Sequence, residues 1–463
     1  MRTLILSDLH ISNDGPQGLY AGGNALPRLL QREGQRPLRV IFNGDAFDFL
    51  PGDEPLELDV NRAVQKAHSI VAVPVAAALL HALGELLSHG GEVVIRVGNH
   101  DVEMALPEVQ AVFRRALAQP AAVASRLQFS LGDKPAFLEL GGVRLLYTHG
   151  EHDDEFNRVE YDRLPGPSGE PPRHKGKFTY PAGSLLVRKL LNPLRDQFQM
   201  RFADFLKPDF QGAVLAALAV DAAACRLLFQ KASLSILWQV LRNAGTAISF
   251  AGGGADGEAE PDLALADRID TADLNEGERM QLEALLRGDE LAVNFAGGQP
   301  DTLGVKLAKN GLKLYAKAHR MMGGKQGDAF FNLVPEESEL KPLRKLAAKH
   351  AADAIITGHT HAARWFQDES LVYVNTGTWI SLMRLPGEQA SDADWHDWLD
   401  ELRRNPGLDP VHQSRVRTES RLTAALVETA PNGGALLSLC ESDSQGVLSV
   451  LRSHHLQPRP TSR

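Results

Sequence analysis

Five short clusters of Asp, His and Asn residues have the types and spacing to do chemistry. The clearest is Gly-His-Thr-His at residues 358–361, which follows an apolar run at 353–357 and is therefore predicted to lie on a loop leaving a buried strand. Oxygen and imidazole ligands without thiolate suit Mn, Fe, Zn or Ni ions. The clusters together predict a site for two metal ions, and their residues are Asp8 and His10; Asp45 and Asp48; Asn99, His100 and Asp101; His149; and His359 and His361.

The position of each cluster relative to the predicted strands strengthens this prediction. A single His or Asp on a loop binds a metal in roughly one case in ten or fewer, because most such residues are only hydrogen-bonded. Here, however, apolar runs at 3–7, 38–42, 92–97 and 143–148 each end at one of the upstream clusters. Ligand sites in open α/β sheets form at the carboxyl ends of strands, so these positions are suited to a binding site.

Alternating strands and helices predict an α/β sandwich that positions the clusters. Residues 61–88 have helical spacing, with Pro74 expected to kink or divide the helix, and residues 108–118 form another predicted helix. Further helices are predicted at 336–350 and 392–404, and further strands at 126–130, 136–140, 370–375, 423–429 and 435–440. The Asn-Gly pair at 432–433 lies between the last two of these strands, which indicates a hairpin.

Composition and charge limit the functions open to this chain of 463 residues. Its net charge of -9 argues against nucleic-acid binding through bulk electrostatics. Only Cys225 and Cys440 are present, and two distant cysteines favour buried thiols over a disulfide framework. No run of about eighteen uninterrupted apolar residues occurs, and the N-terminus lacks the pattern of a signal peptide, so a cytoplasmic protein without a transmembrane segment is expected.

A long segment at 151–335 interrupts the alternating pattern of strands and helices. Apolar residues recur at helical spacing through much of it, so it is predicted to be a mainly helical insertion. Helices are predicted at 183–206, 212–243, 275–288 and 303–320, with a flexible Gly-rich linker at 251–257. The core is expected at 1–150 and 336–452, and residues 453–463 are expected to form a tail.

The insertion is locally basic between Arg173 and Lys207. One hypothesis is that it caps the metal site, with its Arg and Lys side chains meeting an anionic substrate. The other is that it packs on the core or forms an oligomer interface, with its charges on a solvated face. The sequence leaves both hypotheses open, together with the oligomeric state.

The order and types of the clustered residues resemble the calcineurin-like metallophosphoesterase family. The matching motifs are Asp-X-His at 8–10, Gly-Asp at 44–45 with Asp48, Gly-Asn-His-Asp at 98–101, His149, and Gly-His-X-His at 358–361. The resemblance covers about residues 1–150 and 336–381, and the segment 151–335 lies outside it. It implies a four-layer αββα sandwich of two mixed sheets, and a dinuclear metal-dependent hydrolase of phosphate esters or pyrophosphates.

The resemblance also implies a role for each matching residue. Asp45 would bridge two divalent ions, with manganese expected and Fe, Zn or Ni as alternatives, and a hydroxide shared by the ions would attack phosphorus. His100 would protonate the departing oxygen, and Asp48 would orient the His100 ring and favour its imidazolium form. The alternative for Asp48 and His100 is a salt bridge that only supports the loop. The implied ligands are Asp8, His10, Asp45 and His361 for one ion, and Asp45, Asn99, His149 and His359 for the other.

Other functions are weighed against this hypothesis. The UDP-2,3-diacylglucosamine pyrophosphohydrolase branch of the family also has an N-terminal Asp-X-His and a helical insertion, but it typically has Arg at the position of His100 and a much shorter chain. The serine/threonine protein phosphatase branch is disfavoured, because Asp45 is followed by Ala-Phe-Asp-Phe. A non-catalytic scaffold should have lost ligands, whereas each position here holds a competent residue. The expected partner is a phosphorylated small molecule.

Several polar residues near the clusters have weaker assignments. Asp101 is expected either to support the metal ligands or to cap a loop. Arg364 is expected to be an exposed strand charge rather than a contact to a substrate phosphate. A solvated acidic loop, rather than the rim of a pocket, is expected for the residues that follow His149, which are Glu151, His152, Asp153, Asp154 and Asn157.

Overall fold

The computed structural model describes residues 2–15, 18–154, 156–206, 331–386, 390–409 and 416–458, and four isolated positions between 213 and 220. The chain divides into two compact units. Unit 1 comprises Met1–Arg188, Phe330–Ser381 and Ser420–Arg463, and unit 2 comprises Lys189–Ala329 and Leu382–Glu419. All residues predicted to bind metal or to act in catalysis lie in unit 1.

Fourteen short strands lie within the described residues. The first six are β1 (Arg2–Leu6), β2 (Leu38–Asn43), β3 (Glu92–Arg96), β4 (Leu127–Ser130), β5 (Ala136–Leu140) and β6 (Val143–Tyr147). The later strands are β7 (Ala354–Thr357), β8 (Ala363–Gln367), β9 (Val372–Thr376), β10 (Ser381–Arg384), β11 (Arg417–Ser420), β12 (Leu422–Thr429), β13 (Ala435–Ser442) and β14 (Leu448–Leu456).

The described helices lie among the strands of the first 130 residues, between residues 182 and 198, and after residue 336. The α-helices within the described ranges are α1 (Ala25–Glu33), α2 (Val60–Val71), α3 (Pro74–Ser88), α4 (Pro107–Ala116), α5 (Ala121–Ala124), α6 (Ala182–Leu186), α7 (Asn192–Phe198), α8 (Glu337–His350) and α9 (Asp392–Arg404). Short 3₁₀ turns lie at Val102–Ala105, Glu151–Asp153, Tyr161–Arg163 and Arg201–Leu206, and a π-helical turn at Val187–Leu191.

The strands of unit 1 form two mixed sheets. The larger has seven strands in the order β14-β13-β12-β1-β2-β3-β4, in which β1 to β4 are parallel and β12 to β14 are antiparallel. The smaller has five strands in the order β5-β6-β7-β9-β8, with β6, β7 and β9 parallel to one another. The architecture is therefore α/β with two mixed sheets.

One apolar core contains side chains from both sheets. Ile5 and Leu437 of the larger sheet lie in it together with Leu145 and Ile356 of the smaller sheet, and all four are fully buried. A second core contains residues of α8 and of the smaller sheet. Helix α3 contacts β3, and α1 contacts β13. These contacts are compatible with the predicted sandwich, in which two stacked sheets are covered by helices.

Most predicted elements of unit 1 are confirmed, although α1, β8 and β14 were not predicted. The helix predicted at 61–88 is divided at Pro74 into α2 and α3, and the hairpin at 432–433 joins β12 to β13. Strand β14 was not predicted, because Ser, Arg and His interrupt the alternation of its apolar residues. It is an edge strand, and most of its residues are not buried. It corrects the boundary of the tail predicted at 453–463, since pairing with β13 continues to Leu456.

Only part of the predicted insertion lies within the described residues. Helix α6, the π-helical turn and α7 confirm helical structure in 183–206, and α7 ends where Gln199 takes a left-handed conformation. The helices and the linker predicted after residue 207 lie outside the described residues, apart from the four isolated positions. The extent of the insertion therefore stays a prediction.

The described part of unit 2 contains α7, α9 and most of the two-stranded sheet of β10 and β11. Helix α9 has the bounds predicted from the sequence. The Ser391 hydroxyl accepts a hydrogen bond from the Asp394 N–H, and the Asp394 carboxylate accepts one from the Ser391 N–H. This reciprocal capping satisfies two donors at the helix start and explains why the boundary is readable from the sequence.

Two predictions from composition can be compared with the fold. Cys440 on β13 is buried, as expected for a structural thiol, and Cys225 lies outside the described residues. Within the described ranges, no single helix is long and apolar enough to cross a membrane. Helices α2 and α3 reach the required length and hydropathy only when they are counted together across a bend of 87°.

Removing apolar volume from the core shared by the two sheets is expected to destabilise unit 1. Leu437→Ala should lower the free energy of unfolding by about 2–5 kcal/mol, because the fully buried side chain leaves a cavity. The matched control is Val450→Ala on β14, where the residue is 60% exposed and the change should stay within about 0.5 kcal/mol. Urea unfolding followed by circular dichroism measures both, and equal midpoints would contradict the shared core.

Candidate metal centre

The ends of five strands bring the predicted clusters together. Strands β1, β2 and β3 of the larger sheet, and β6 and β7 of the smaller sheet, each end shortly before one cluster. Between the loops that follow β1 and β2, the His10 N–H donates to the Asp45 carbonyl at 3.0 Å. Between the sheets, the Asn43 side chain donates to the Thr148 carbonyl at 2.7 Å. The loops that carry the clusters are therefore tied to one another.

Several predicted ligands have an unfavourable backbone conformation. Among the described residues, nine non-glycine residues have positive φ, and five of these are predicted ligands. A left-handed backbone costs roughly 1–2 kcal/mol for most residues, and such strain concentrates at functional sites. The five residues are Asp8 (55°), His10 (50°), Asp45 (54°), His359 (68°) and His361 (58°).

Asp8, His10 and His361 place three ligand atoms close together. The Nε2 atoms of His10 and His361 are 3.0 Å apart, and His361 Nε2 is 3.5 Å from Asp8 Oδ1. In the described part of the chain, Asp8 Oδ1 is buried and has no hydrogen-bond partner. Burying such an oxygen is costly unless an opposite charge compensates it. A cation held by these three atoms would supply that charge, so the group fits a metal ion.

Asp45 belongs to a second buried group with Asp8 and His149. His149 Nε2 lies 3.3 Å from Asp45 Oδ2 and 3.3 Å from Asn99 Oδ1. His149 Nδ1 donates to the Asn43 carbonyl at 2.9 Å, which leaves Nε2 as the atom able to bind a metal. Asn43 was not among the predicted site residues. The sequence signal that could have identified it is its position as a polar residue at the end of an apolar strand.

Asp48 lies between His10 and His100 and forms the third group with them. Its Oδ2 is 3.3 Å from His10 Nδ1, and its Oδ1 is 3.2 Å from His100 Nδ1. The Leu50 N–H donates to Oδ1 at 2.9 Å and holds the carboxylate in place. The two imidazole rings meet edge to face, with centroids 4.6 Å apart. The structure thus brings the two predicted catalytic residues into contact beside a predicted ligand.

His359 is the predicted histidine ligand that lies outside these three groups. Its backbone N–H donates to Asp8 Oδ2 at 2.9 Å, and its ring centroid is 5.2 Å from that of His149. Its Nε2 is 3.0 Å from Asp154 Oδ2. The Asp154 side chain is only 10% exposed, so the expectation that it belongs to a solvated acidic loop is wrong.

Burial and neighbouring charges move the pKa values of the carboxyl groups in opposite directions. Burial raises the pKa of Asp8, and Asp45 adds to the rise while His149 opposes it. For Asp45, burial is outweighed by His149 and His100, which lower its pKa. For Asp48, burial is likewise outweighed, chiefly by His100, and its pKa lies well below the ordinary value. Asp45 and Asp48 are therefore carboxylates at neutral pH.

The imidazoles of the site also differ in charge. Burial lowers the pKa of His149, but Asp45 and Asp8 outweigh it and raise the pKa well above the ordinary value. Burial, together with His10, lowers the pKa of His361 well below the ordinary value. The neutral imidazole is the form that binds metal. His361 is therefore already in the ligand form, whereas His149 would release a proton on binding a cation.

Asp101 and Glu151 are fully buried and hold loops in place. Asp101 accepts hydrogen bonds from the Gly98 N–H at 2.6 Å and the Ala46 N–H at 3.0 Å, which supports the loop-capping alternative. Burial raises the pKa of Asp101 well above the ordinary value. Glu151 accepts from the Tyr161 hydroxyl at 2.7 Å, so the expectation of a solvated position is wrong for it.

Two more polar residues predicted at the surface are buried. Arg364 is 8% exposed, its Nε lies 3.3 Å from Glu339 Oε2, and its Nη1 donates to the Asn332 carbonyl at 2.5 Å. The expectation that Arg364 is an exposed strand charge is therefore wrong. Asn157 is buried as well, whereas Asp153 is exposed as expected.

Basic residues near the start of the predicted insertion pair with carboxylates. Arg173 lies 2.5 Å from Asp133 and 2.7 Å from Asp162, and Lys177 lies 2.9 Å from Glu57. The cap hypothesis expected the Arg and Lys side chains of the insertion to contact an anionic substrate, whereas Arg173 and Lys177 form ion pairs within the protein. Exposed pairs of this kind add roughly 0–1 kcal/mol to stability.

Comparisons with known proteins leave the site to be interpreted from its own geometry. No protein-family model matches the sequence. No curated protein matches it either. The geometry shows buried His and Asp groups whose ligand atoms lie within 4.8 Å of one another in each group, a spacing suited to binding a metal ion.

Gly44 provides a test of the position of His149. A Cβ at Gly44 would overlap the His149 ring, and Gly44 has a φ of +94°. We expect Gly44→Ala to displace His149 and weaken metal binding by roughly tenfold or more. Gly90→Ala is the matched control, because φ is +89° there and no described atom lies within 4 Å of the added Cβ. Titration of each variant with Mn²⁺ and Zn²⁺ measures the effect, and equal affinities would contradict the proposed contact.

Proposed function

We propose that this chain is a dinuclear metal-dependent hydrolase of phosphate esters or pyrophosphates, with the αββα fold of the calcineurin-like metallophosphoesterases. The observation that carries the proposal is the pair of buried ligand groups that share Asp8, one with His10 and His361 and the other with Asp45 and His149. Two neighbouring ions need adjoining ligand sets of this kind.

The proposed ligand sets follow the family resemblance, and they differ from these groups in the shared carboxylate and in the addition of Asn99 and His359. Asp8 is the residue common to both groups, whereas the proposal gives the bridging role to Asp45. Asp45 suits that role because its pKa is lowered and its Oδ2 lies 3.3 Å from His149 Nε2. One ion would be held by Asp8, His10, Asp45 and His361, and the other by Asp45, Asn99, His149 and His359.

The residues of the site would orient the ligands and manage charge. When bound, two divalent cations would supply Lewis-acid activation of water and neutralisation of the phosphoryl oxygens. The Asn43 carbonyl directs Nε2 of His149 inward by accepting a hydrogen bond from its Nδ1. Asp48 does the same for His10 through its 3.3 Å contact with Nδ1. The substrate is proposed to be a phosphorylated small molecule.

His100 is the proposed general acid. Asp48, an anion at neutral pH, lies 3.2 Å from His100 Nδ1 and would favour the imidazolium form of the ring. His100 is 7% exposed and follows Asn99, a proposed ligand, directly in the chain. It would therefore hold a proton close to the phosphoryl group and deliver it to the departing oxygen.

Loss of the bridging carboxylate is expected to abolish activity. The purified chain should hold a transition metal and hydrolyse a generic aryl phosphate ester or diester with added Mn²⁺, whereas Asp45→Ala should lose all metal-dependent turnover. The control is Asp53→Ala, at an exposed position, which should keep the wild-type rate. A wild-type chain that holds no transition metal and is inert with Mn²⁺ would refute the proposal.

Loss of the general acid is expected to slow the reaction without removing the metal. His100→Ala should keep the wild-type metal content and slow hydrolysis by roughly 10²–10⁴-fold, because the leaving group then departs unprotonated. The loss should be largest for poor leaving groups. Rates for a series of aryl phosphates with different leaving-group pKa values measure this, and an equal loss across the series would show that His100 is not the acid.

A further inference from the structure

The loop after His149 carries a carboxylate that contacts a proposed metal ligand. Asp154 Oδ2 lies 3.0 Å from His359 Nε2, and both side chains are at least nine-tenths buried. A carboxylate oxygen can only accept a hydrogen bond, so the proton of the neutral His359 ring lies on Nε2. Nδ1 is then the ring atom that keeps a lone pair for a metal.

Asp154 is itself held by hydrogen bonds from its own loop. Its Oδ1 accepts from the N–H groups of Phe156 at 2.9 Å and Asn157 at 3.3 Å, and its Oδ2 accepts from Asn157 Nδ2 at 2.7 Å. Asn157 is 4% exposed and packs against Gly183 in α6, where a Cβ would overlap its side chain. The position of the Asp154 carboxylate is therefore set by the fold.

The other proposed histidine ligands show what such a contact does. His149 Nδ1 donates to the Asn43 carbonyl, and His10 Nδ1 faces Asp48. In each case one ring nitrogen is engaged by an acceptor, and the opposite nitrogen is left for a metal. Partners of this kind fix the tautomer and the orientation of a metal-binding imidazole and raise its basicity. For His359 the acceptor in the corresponding position is Asp154, whose Oδ2 lies 3.0 Å from Nε2.

We propose that Asp154 is a positioning residue that orients His359 for metal binding and fixes its proton on Nε2. The inference rests on the proposed metal site and extends it to a residue for which the sequence favoured a solvated loop. The competing explanation is an ion pair that only stabilises the loop. That explanation predicts a loss of stability for Asp154 variants with no change in metal affinity.

The test compares metal affinity in four full-length proteins, which are wild type, Asp154→Ala, Asp154→Asn and Asp153→Ala. Each metal-free protein is titrated with Mn²⁺, and separately with Zn²⁺, in competition with a metal-binding dye. We expect Asp154→Ala to weaken the affinity by roughly 10–100-fold. Asp154→Asn should weaken it less, because an amide oxygen still accepts from Nε2–H. Asp153 is exposed, so Asp153→Ala should match wild type.

The outcomes separate this inference from the proposed function. Equal metal affinities for wild type and folded Asp154→Ala would overturn the role of Asp154 and leave the metal site intact. A wild-type chain that binds no metal would overturn the proposed function, and the inference with it. If Asp154→Ala does not fold, the position of the ring proton in wild-type His359 decides, and a proton on Nδ1 would overturn the inference.

A second readout is independent of added metal. Spectra of ¹⁵N-histidine-labelled, metal-free protein report which ring nitrogen of His359 carries the proton. We expect Nε2–H in wild type and in Asp153→Ala, and loss of this preference in Asp154→Ala. A proton on Nδ1 in the wild-type protein would contradict the inference.

Discussion

Carboxylates and imidazoles buried together at the ends of five strands impose the strongest physical constraint on this structure. Removing a carboxylate from water costs several kcal/mol unless opposite charge and hydrogen bonds compensate for it. His149, His10 and His100 outweigh the effect of burial on Asp45 and Asp48, and the pKa values of both carboxylates fall accordingly. Compensation is incomplete at Asp8, because burial raises the pKa of this carboxyl group. A bound cation would complete it.

The fold supplies these groups through parallel strands whose loops approach one another closely. Gly44 allows the loop after β2 to lie against the His149 ring, and Gly358 allows the loop after β7 to lie against Ser7 and Asp8, which follow β1. A side chain at either glycine would push the two sheets' loops apart. Five proposed ligands have a left-handed backbone. Such strain persists only where the surrounding structure enforces it, which agrees with the close approach of these loops.

The sequence predicted the strand-end clusters because two local signals coincide there, an apolar run and a polar residue at its end. It also predicted the break at Pro74 and the hairpin at 432–433, since both depend on local backbone chemistry. It did not predict the contact between Asp154 and His359, which lie 205 residues apart. Periodicity identifies the buried face of an element, but it carries no information about which distant partner neutralises a buried charge. The burial of Arg364 beside Glu339 was not predicted for the same reason.

We propose that these loops bind two metal ions around Asp45. Anomalous diffraction from crystals of the full-length protein saturated with Mn²⁺ tests it most directly. We expect two peaks about 3.5–4 Å apart with the Asp45 carboxylate between them, His361 bound to one ion and His359 to the other. A single peak, two ions held by other residues, or no bound ion at saturating Mn²⁺ would contradict it.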